Sequence, residues 1–206
     1  MNETQVIRWA LKPVLFVLCL VPVLLLAWRA WQGSLGANPV ETLSHETGAW
    51  ALRMLLLTLT VTPLRRLTGW QPLIRFRRML GLSAFFYACL HITVYLVFDQ
   101  FFDWDEIVKD IVKRPYVTVG FTAFVLLLPL AVTSTKGMMR RLGRRWARLH
   151  QLVYVAATAG VLHFLWLVKA DVRDPLYYAV ALLVLLLFRV WWARRGAAAV
   201  AAPGRA

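Results

Sequence analysis

The chain has 206 residues, 60% of them hydrophobic and 17% charged, with a formal net charge of +14. A mean hydropathy of +0.62 excludes an ordinary soluble domain. The positive charge does not point to nucleic acid, because the basic residues cluster in short links between apolar runs, as cytoplasmic loops of membrane proteins do. Two cysteines, Cys19 and Cys89, fall inside apolar runs and make neither a disulfide framework nor a zinc spacing.

A spanning helix needs about 20 mainly apolar residues. The first candidate runs Trp9–Trp31. Arg8 and Lys12 precede it, but no small-x-small cleavage pattern follows, so it reads as a retained helix rather than a signal peptide. Ala49–Leu64, Met79–Phe98, Tyr116–Thr133, Leu149–Val168 and Leu176–Trp192 complete a set of six. Pro129 invites a kink in the fourth. The fold class expected is all-α: a polytopic bundle of six transmembrane helices, forming one domain over 1–196. No internal repeat is evident, and the tail over 197–206, "AAAVAAPGRA", reads as a disordered cytoplasmic extension.

Lysine and arginine set the orientation. Arg65, Arg66, Arg75, Arg77 and Arg78 follow span two, and Lys136 to Arg148 follow span four, with no acid in either link. Arg194 and Arg195 follow span six. The alternate links carry Glu41 and Glu46, then Asp99 to Asp110, then Asp171 and Asp174. Both termini are therefore expected in the cytoplasm.

Spans three and five then run in the same direction. His91 lies about 10 Å below the outer end of one and His163 about 7.5 Å below that of the other, at 1.5 Å per residue. Two imidazoles reach one outer-leaflet layer. Ala84 and Ala88 stand on the face of His91, and Ala156, Ala159 and Gly160 on that of His163. Small residues beside facing imidazoles suggest a slot for a flat group. A bare zinc or copper ion would want further acid or sulfur ligands, which these faces lack. A haem needs two axial ligands and a flat cavity. With no C-x-x-C-H motif, it would be held without thioether links. Ionisable groups in membrane spans are mostly functional, though a lone histidine can be structural and small residues can mark close packing.

His150 lies 13 residues before His163, a rise of about 20 Å and a rotation of about 220° in a straight helix. It reads either as an interfacial polar residue, as a ligand of a second haem, or as a contact to a flavin or quinol. No second histidine matches its depth. His45, outside and just before span two, reads as a solvated loop residue. Arg53 stands near the outer end of span two, placed either to pair with haem propionates or to snorkel to headgroups. Arg77 and Arg78, within "RFRR", belong to a basic rim suited to anionic lipid or to a flavin phosphate. No G-x-G-x-x-G or Walker A motif occurs in these residues. The electrons of a redox protein built this way would come from quinol or a separate reductase. A non-redox transporter would want more polar residues deep in the spans, and a self-contained ferric reductase would want a nucleotide domain.

"LGANPVETLSHETG" (35–48), "LIRFRRMLGL" (73–82), "LHITVY" (90–95), "RPYVTVG" (114–120), "TSTKGMMRRLG" (133–143), "LHQLVYV" and "LHFLW" carry a family resemblance. Together they resemble the MsrQ (YedZ) family, haem-binding membrane subunits of periplasmic methionine sulfoxide reductase systems, within the ferric-reductase-like transmembrane superfamily. The resemblance implies a multi-pass protein of the bacterial inner membrane with b-type haem and FMN. It implies electrons passing from the quinone pool, or a flavin reductase, to a periplasmic molybdenum subunit, MsrP, that repairs oxidised proteins. The family's histidine motifs map onto His91, His150 and His163. The related oxidases place fourteen positions between paired histidines, against thirteen here, which disfavours two stacked haems.

Overall fold

The computed structural model describes residues 2–168 and 171–201. It is helical throughout its regular structure, with no strand among the described residues. Six helices are long and apolar enough to cross a membrane. In chain order, α1 covers Glu3–Trp31, α2 Pro39–Thr68 and α3 Gln71–Asp99. The short α4 spans Trp104–Lys113, α5 Pro115–Val132, α6 Lys136–Leu142 and α7 Arg144–Leu149. The last two are α8, Leu152–Leu167, and α9, Arg173–Ala201. Short links force successive spans to alternate in direction. One end of the bundle therefore gathers the arginine-rich links and the other the acidic ones.

Most helix ends lie beyond the sequence estimate, for chemical reasons. The second span begins at Pro39 rather than Ala49, because Asn38 caps it: its side chain accepts from the Glu41 N–H at 3.3 Å, and Pro39 follows at the first helical position. Gly69, at φ 71°, ends the same helix in the left-handed conformation glycine adopts freely. His45 is consequently a helical residue, exposed on α2 with its ring centroid 5.4 Å from that of Phe164, and not a loop residue. The fourth span continues past Pro129 to Val132. The tail expected to be unstructured from 197 is helical to Ala201, where alanines dominate; residues 202–206 lie outside the described set.

Helices α2 and α3 pack together along their length, as do α5 and α8, and these four enclose the core. Helices α1 and α9 are peripheral. Val14, Phe16, Leu24 and Leu25 on α1, and Leu183, Val184 and Leu187 on α9, point outward and are exposed. In lipid that exposure is the favourable arrangement, and small residues then allow close helix approach. Ala84 and Ala156 are each 1% exposed and Ala157 is 0%. Of the small residues on the two histidine faces, Ala84 and Ala156 are thus packed between helices, whereas Ala88, Ala159 and Gly160 are half-buried.

Several polar groups inside the bundle find partners within it. Pro22 interrupts α1, and next to it the Tyr87 hydroxyl donates to the Cys19 carbonyl at 2.7 Å while accepting from the Val23 N–H at 3.2 Å. Those two backbone groups would pair in an uninterrupted helix. Asp110, one of the acids of the link after the third span, is 8% exposed. It pairs with Arg114 at 3.2 Å and accepts from Gln100 at 3.1 Å, so it ties α4 to the bundle. The opposite face of α4 exposes Trp104, Val108 and Val112, the composition of a helix lying at a bilayer surface.

Tyr87→Phe should lower stability by about 1–3 kcal/mol, the cost of stranding buried backbone groups. Thermal unfolding of the detergent-solubilised protein would show it as a lower midpoint, with Tyr177→Phe, an exposed site, as the unchanged control.

Candidate functional site

The two histidines expected at one depth meet. The ring centroids of His91, on α3, and His163, on α8, stand 6.1 Å apart with planes at 71°. Each ring is anchored in the same way. His91 Nδ1 is 2.9 Å from the Ser44 carbonyl on α2, and His163 Nδ1 is 2.7 Å from the Tyr116 carbonyl on α5. A carbonyl can only accept, so each bond requires Nδ1 to carry the proton. Nε2 is then the bare nitrogen of both rings, with its lone pair free to bind a metal.

The carbonyls accept these extra bonds without leaving their helices, because each oxygen has two lone pairs and the ladder uses one. Around Ser44 the Thr47 hydroxyl also bonds back, to the Leu43 carbonyl at 2.7 Å and the Ser44 carbonyl at 3.1 Å. The spacing of the rings suits a shared ligand. Two metal–nitrogen bonds of about 2 Å, plus about 1 Å from each nitrogen to its ring centre, predict centroids roughly 6 Å apart across one metal ion. No group of three or more His, Cys, Asp or Glu converges among the described residues. The donor set is therefore two imidazoles, which fits an iron porphyrin that brings its own four equatorial nitrogens.

The two half-sites are built on one plan. Carbonyl and histidine are 47 residues apart in both. Each element of the second half stands 72 positions after its counterpart: Ser44 to Tyr116, His91 to His163. The hairpin α2–α3 thus recurs as α5–α8, a repeat that inspection of the sequence does not reveal. Both hairpins start at the acidic end, so they form a parallel repeat about an axis along the bundle.

His150 belongs to neither half-site. The helix breaks at His150 and Gln151, which form a turn between α7 and α8, so the straight-helix rotation expected from sequence does not apply. The His150 ring stacks on Trp146 at 3.9 Å, and its Nδ1 lies 3.1 Å from the Trp146 carbonyl. Its Nε2 is buried and makes no well-formed hydrogen bond among the described residues, nor does the Tyr154 hydroxyl, although the Leu130 carbonyl lies near the ring and Arg77 near the hydroxyl. Arg77 lies within electrostatic reach of His150, Tyr154 and Arg189, and Arg189 sits 4.5 Å over the Tyr154 ring. A cavity of about 420 Å³ opens beside Gln151, Tyr154 and Arg189. The residue 72 positions before His150 is Arg78, which is exposed. Only the acidic-end layer therefore has two imidazoles.

Arg53 joins neither group. Its Nε donates to the Tyr178 hydroxyl at 2.9 Å, and its guanidinium lies 4.7 Å over Trp50. It ties α2 to α9. Sequence reasoning missed the Ser44 and Tyr116 carbonyls, since a backbone oxygen has no sequence signature. It also missed Tyr154 and Arg189.

Nitrogen-15 NMR of histidine-labelled, haem-free protein should show His91 and His163 as Nδ1–H tautomers at neutral pH. Either ring protonated at Nε2 alone would contradict the carbonyl anchoring.

Residues 47–161 match the family model described as the ferric reductase like transmembrane component. A protein-methionine-sulfoxide reductase heme-binding subunit MsrQ of Xanthomonas campestris pv. campestris (strain 8004) is 56% identical, with 94% of this chain and 93% of that protein covered. The protein of the same description from Xanthomonas axonopodis pv. citri (strain 306) is 53% identical, covering 93% of this chain and 90% of its own. That of Herminiimonas arsenicoxydans is 55% identical over 89% of this chain and 85% of its own.

Proposed function

Because the chain belongs to the ferric-reductase-like transmembrane family and, within it, to the MsrQ subunits, we propose that it binds b-type haem between His91 and His163 and passes electrons to a methionine sulfoxide reductase. The observation that carries this reading is the pair of imidazole rings, each with a bare Nε2, whose centroids two equivalent carbonyl anchors hold 6.1 Å apart. His91 and His163 would hold the haem, which would supply one-electron chemistry there, and ligation by both imidazoles would favour electron transfer over substrate binding. The protein's part is to hold the rings. The Nδ1–H bonds set the tautomer, fix the ring orientation and raise the basicity of the ligating nitrogen.

The description shared by the relatives supports a methionine sulfoxide reductase as the acceptor. The periplasmic MsrP subunit, in a heterodimer with this chain in the inner membrane, is the form that the family resemblance implies. The acidic-end position of the haem layer suits delivery to that side, with the basic end and both termini facing the cytoplasm. The donor is quinol or a flavin reductase acting at the basic end. There Tyr154 and Arg189 line a cavity, Arg77 lies near both, and a flavin phosphate would find cationic partners. The Nε2 of His150 in the same group, without a well-formed hydrogen bond, leaves a position for a second ligand, of flavin, quinol or haem. Arg53 and Arg78 take no part in either group in this arrangement.

Protein purified from haem-replete cells should show the sharp visible bands of low-spin haem after dithionite reduction. His91→Ala and His163→Ala should each abolish them, whereas His150→Ala should leave them in place. Full haem retention in both of the first two variants would remove the ligand assignment. Quantifying haem and flavin per chain in the same samples tests the cofactor content.

A further inference from the structure

We propose that Gly48 and Gly120 are positioning residues: each omits the one carbon atom that would push a histidine ring off its carbonyl anchor. The inference rests on the haem reading above and deepens it. Gly48 stands four residues after Ser44, and Gly120 four after Tyr116. One helical turn on, each glycine is the residue whose N–H faces that carbonyl in the ladder. The two glycines are also 72 positions apart, so they repeat together with the carbonyls and the histidines.

A methyl group at Gly120 would stand 2.6 Å from His163 Nδ1, 2.9 Å from Cε1 and 3.0 Å from Cγ. At Gly48 it would stand 3.1 Å from His91 Nδ1 and from Cε1, and 3.6 Å from Cγ. In both half-sites the glycine lies against the Cγ–Nδ1–Cε1 edge of the ring. The Nε2 edge therefore faces away from the anchoring helix, toward the space between the hairpins. Neither glycine has a positive φ, so an alanine is compatible with the backbone, and helix propensity favours it. What must move is the imidazole. A displaced ring loses its bond to the carbonyl, and with it both the tautomer and the aim of Nε2. The two contacts differ, so the effects should be graded, larger at Gly120 than at Gly48.

The test compares full-length wild type, Gly48→Ala, Gly120→Ala, His91→Ala and His163→Ala. Gly120→Ala should lower haem affinity about 10- to 100-fold, the scale for losing a ligand's hydrogen-bonded support. Its haem-free form should lose the Nδ1–H signal of His163 in nitrogen-15 NMR while melting no lower than wild type. Gly48→Ala should retain haem, with a shifted midpoint potential and altered low-spin electron paramagnetic resonance. Wild-type affinity, spectra and tautomers in Gly120→Ala would overturn the inference, as would a larger effect at Gly48. Should Gly120→Ala fail to fold, Gly48→Ala decides alone, and an unchanged potential and resonance spectrum would count against the inference. If the two histidine variants kept their haem, the ligand assignment would fall. The tautomer signals of the haem-free glycine variants would then still report whether the glycines hold the rings.

Discussion

Two hydrogen bonds, from His91 to the Ser44 carbonyl and from His163 to the Tyr116 carbonyl, govern the chemistry of this bundle. An imidazole has two nitrogens of nearly equal proton affinity, and in water either can be the bare one. Inside a membrane bundle no solvent arbitrates, and a backbone carbonyl that can only accept makes the choice. Once Nδ1 is committed, Nε2 keeps a lone pair that can bind a metal. The four central helices are arranged so that both commitments are made at one depth, on opposite sides of one space.

The same constraint explains the remaining polar side chains of the interior. A polar group in the bilayer must be satisfied by protein. Tyr87 bridges backbone groups beside Pro22 in α1, Arg53 joins α2 to α9 through Tyr178, and Asp110 holds the surface helix α4 through Arg114 and Gln100. Each such contact links two elements that hydrophobic burial cannot fix, because lipid is as apolar as the helices it surrounds. The basic-end group of His150, Tyr154, Arg77 and Arg189 departs from this rule. Two of its buried polar atoms make no well-formed hydrogen bond among the described residues, and such atoms commonly mark a place where a further molecule belongs.

The parallel repeat gives the acidic-end layer its symmetry and the basic end its asymmetry. Where the first hairpin contributes Arg78, the second contributes His150. One layer can therefore hold a metal between equivalent ligands. The other pairs a single imidazole with guanidinium groups, an environment suited to anions or to a differently ligated group. A path for electrons between two unlike ends is what a membrane electron carrier requires.

Hydropathy and the lysine–arginine pattern determined the six spans and the two chemically different ends, because lipid compatibility is a property of composition along one dimension. The fixed rise of a helix was enough to place His91 and His163 in one layer. Helix ends were legible only through capping chemistry, as at Asn38 and Pro39, which a hydropathy window passes over. Tertiary structure alone decided which ring nitrogen is bare, what each glycine makes room for, and where Arg53 points. Those outcomes depend on backbone oxygens and on atoms that are missing, brought to a histidine by a helix 47 residues away. A carbonyl belongs to every residue type and an absent methyl to every glycine, so neither can be recognised until the chain has folded around them.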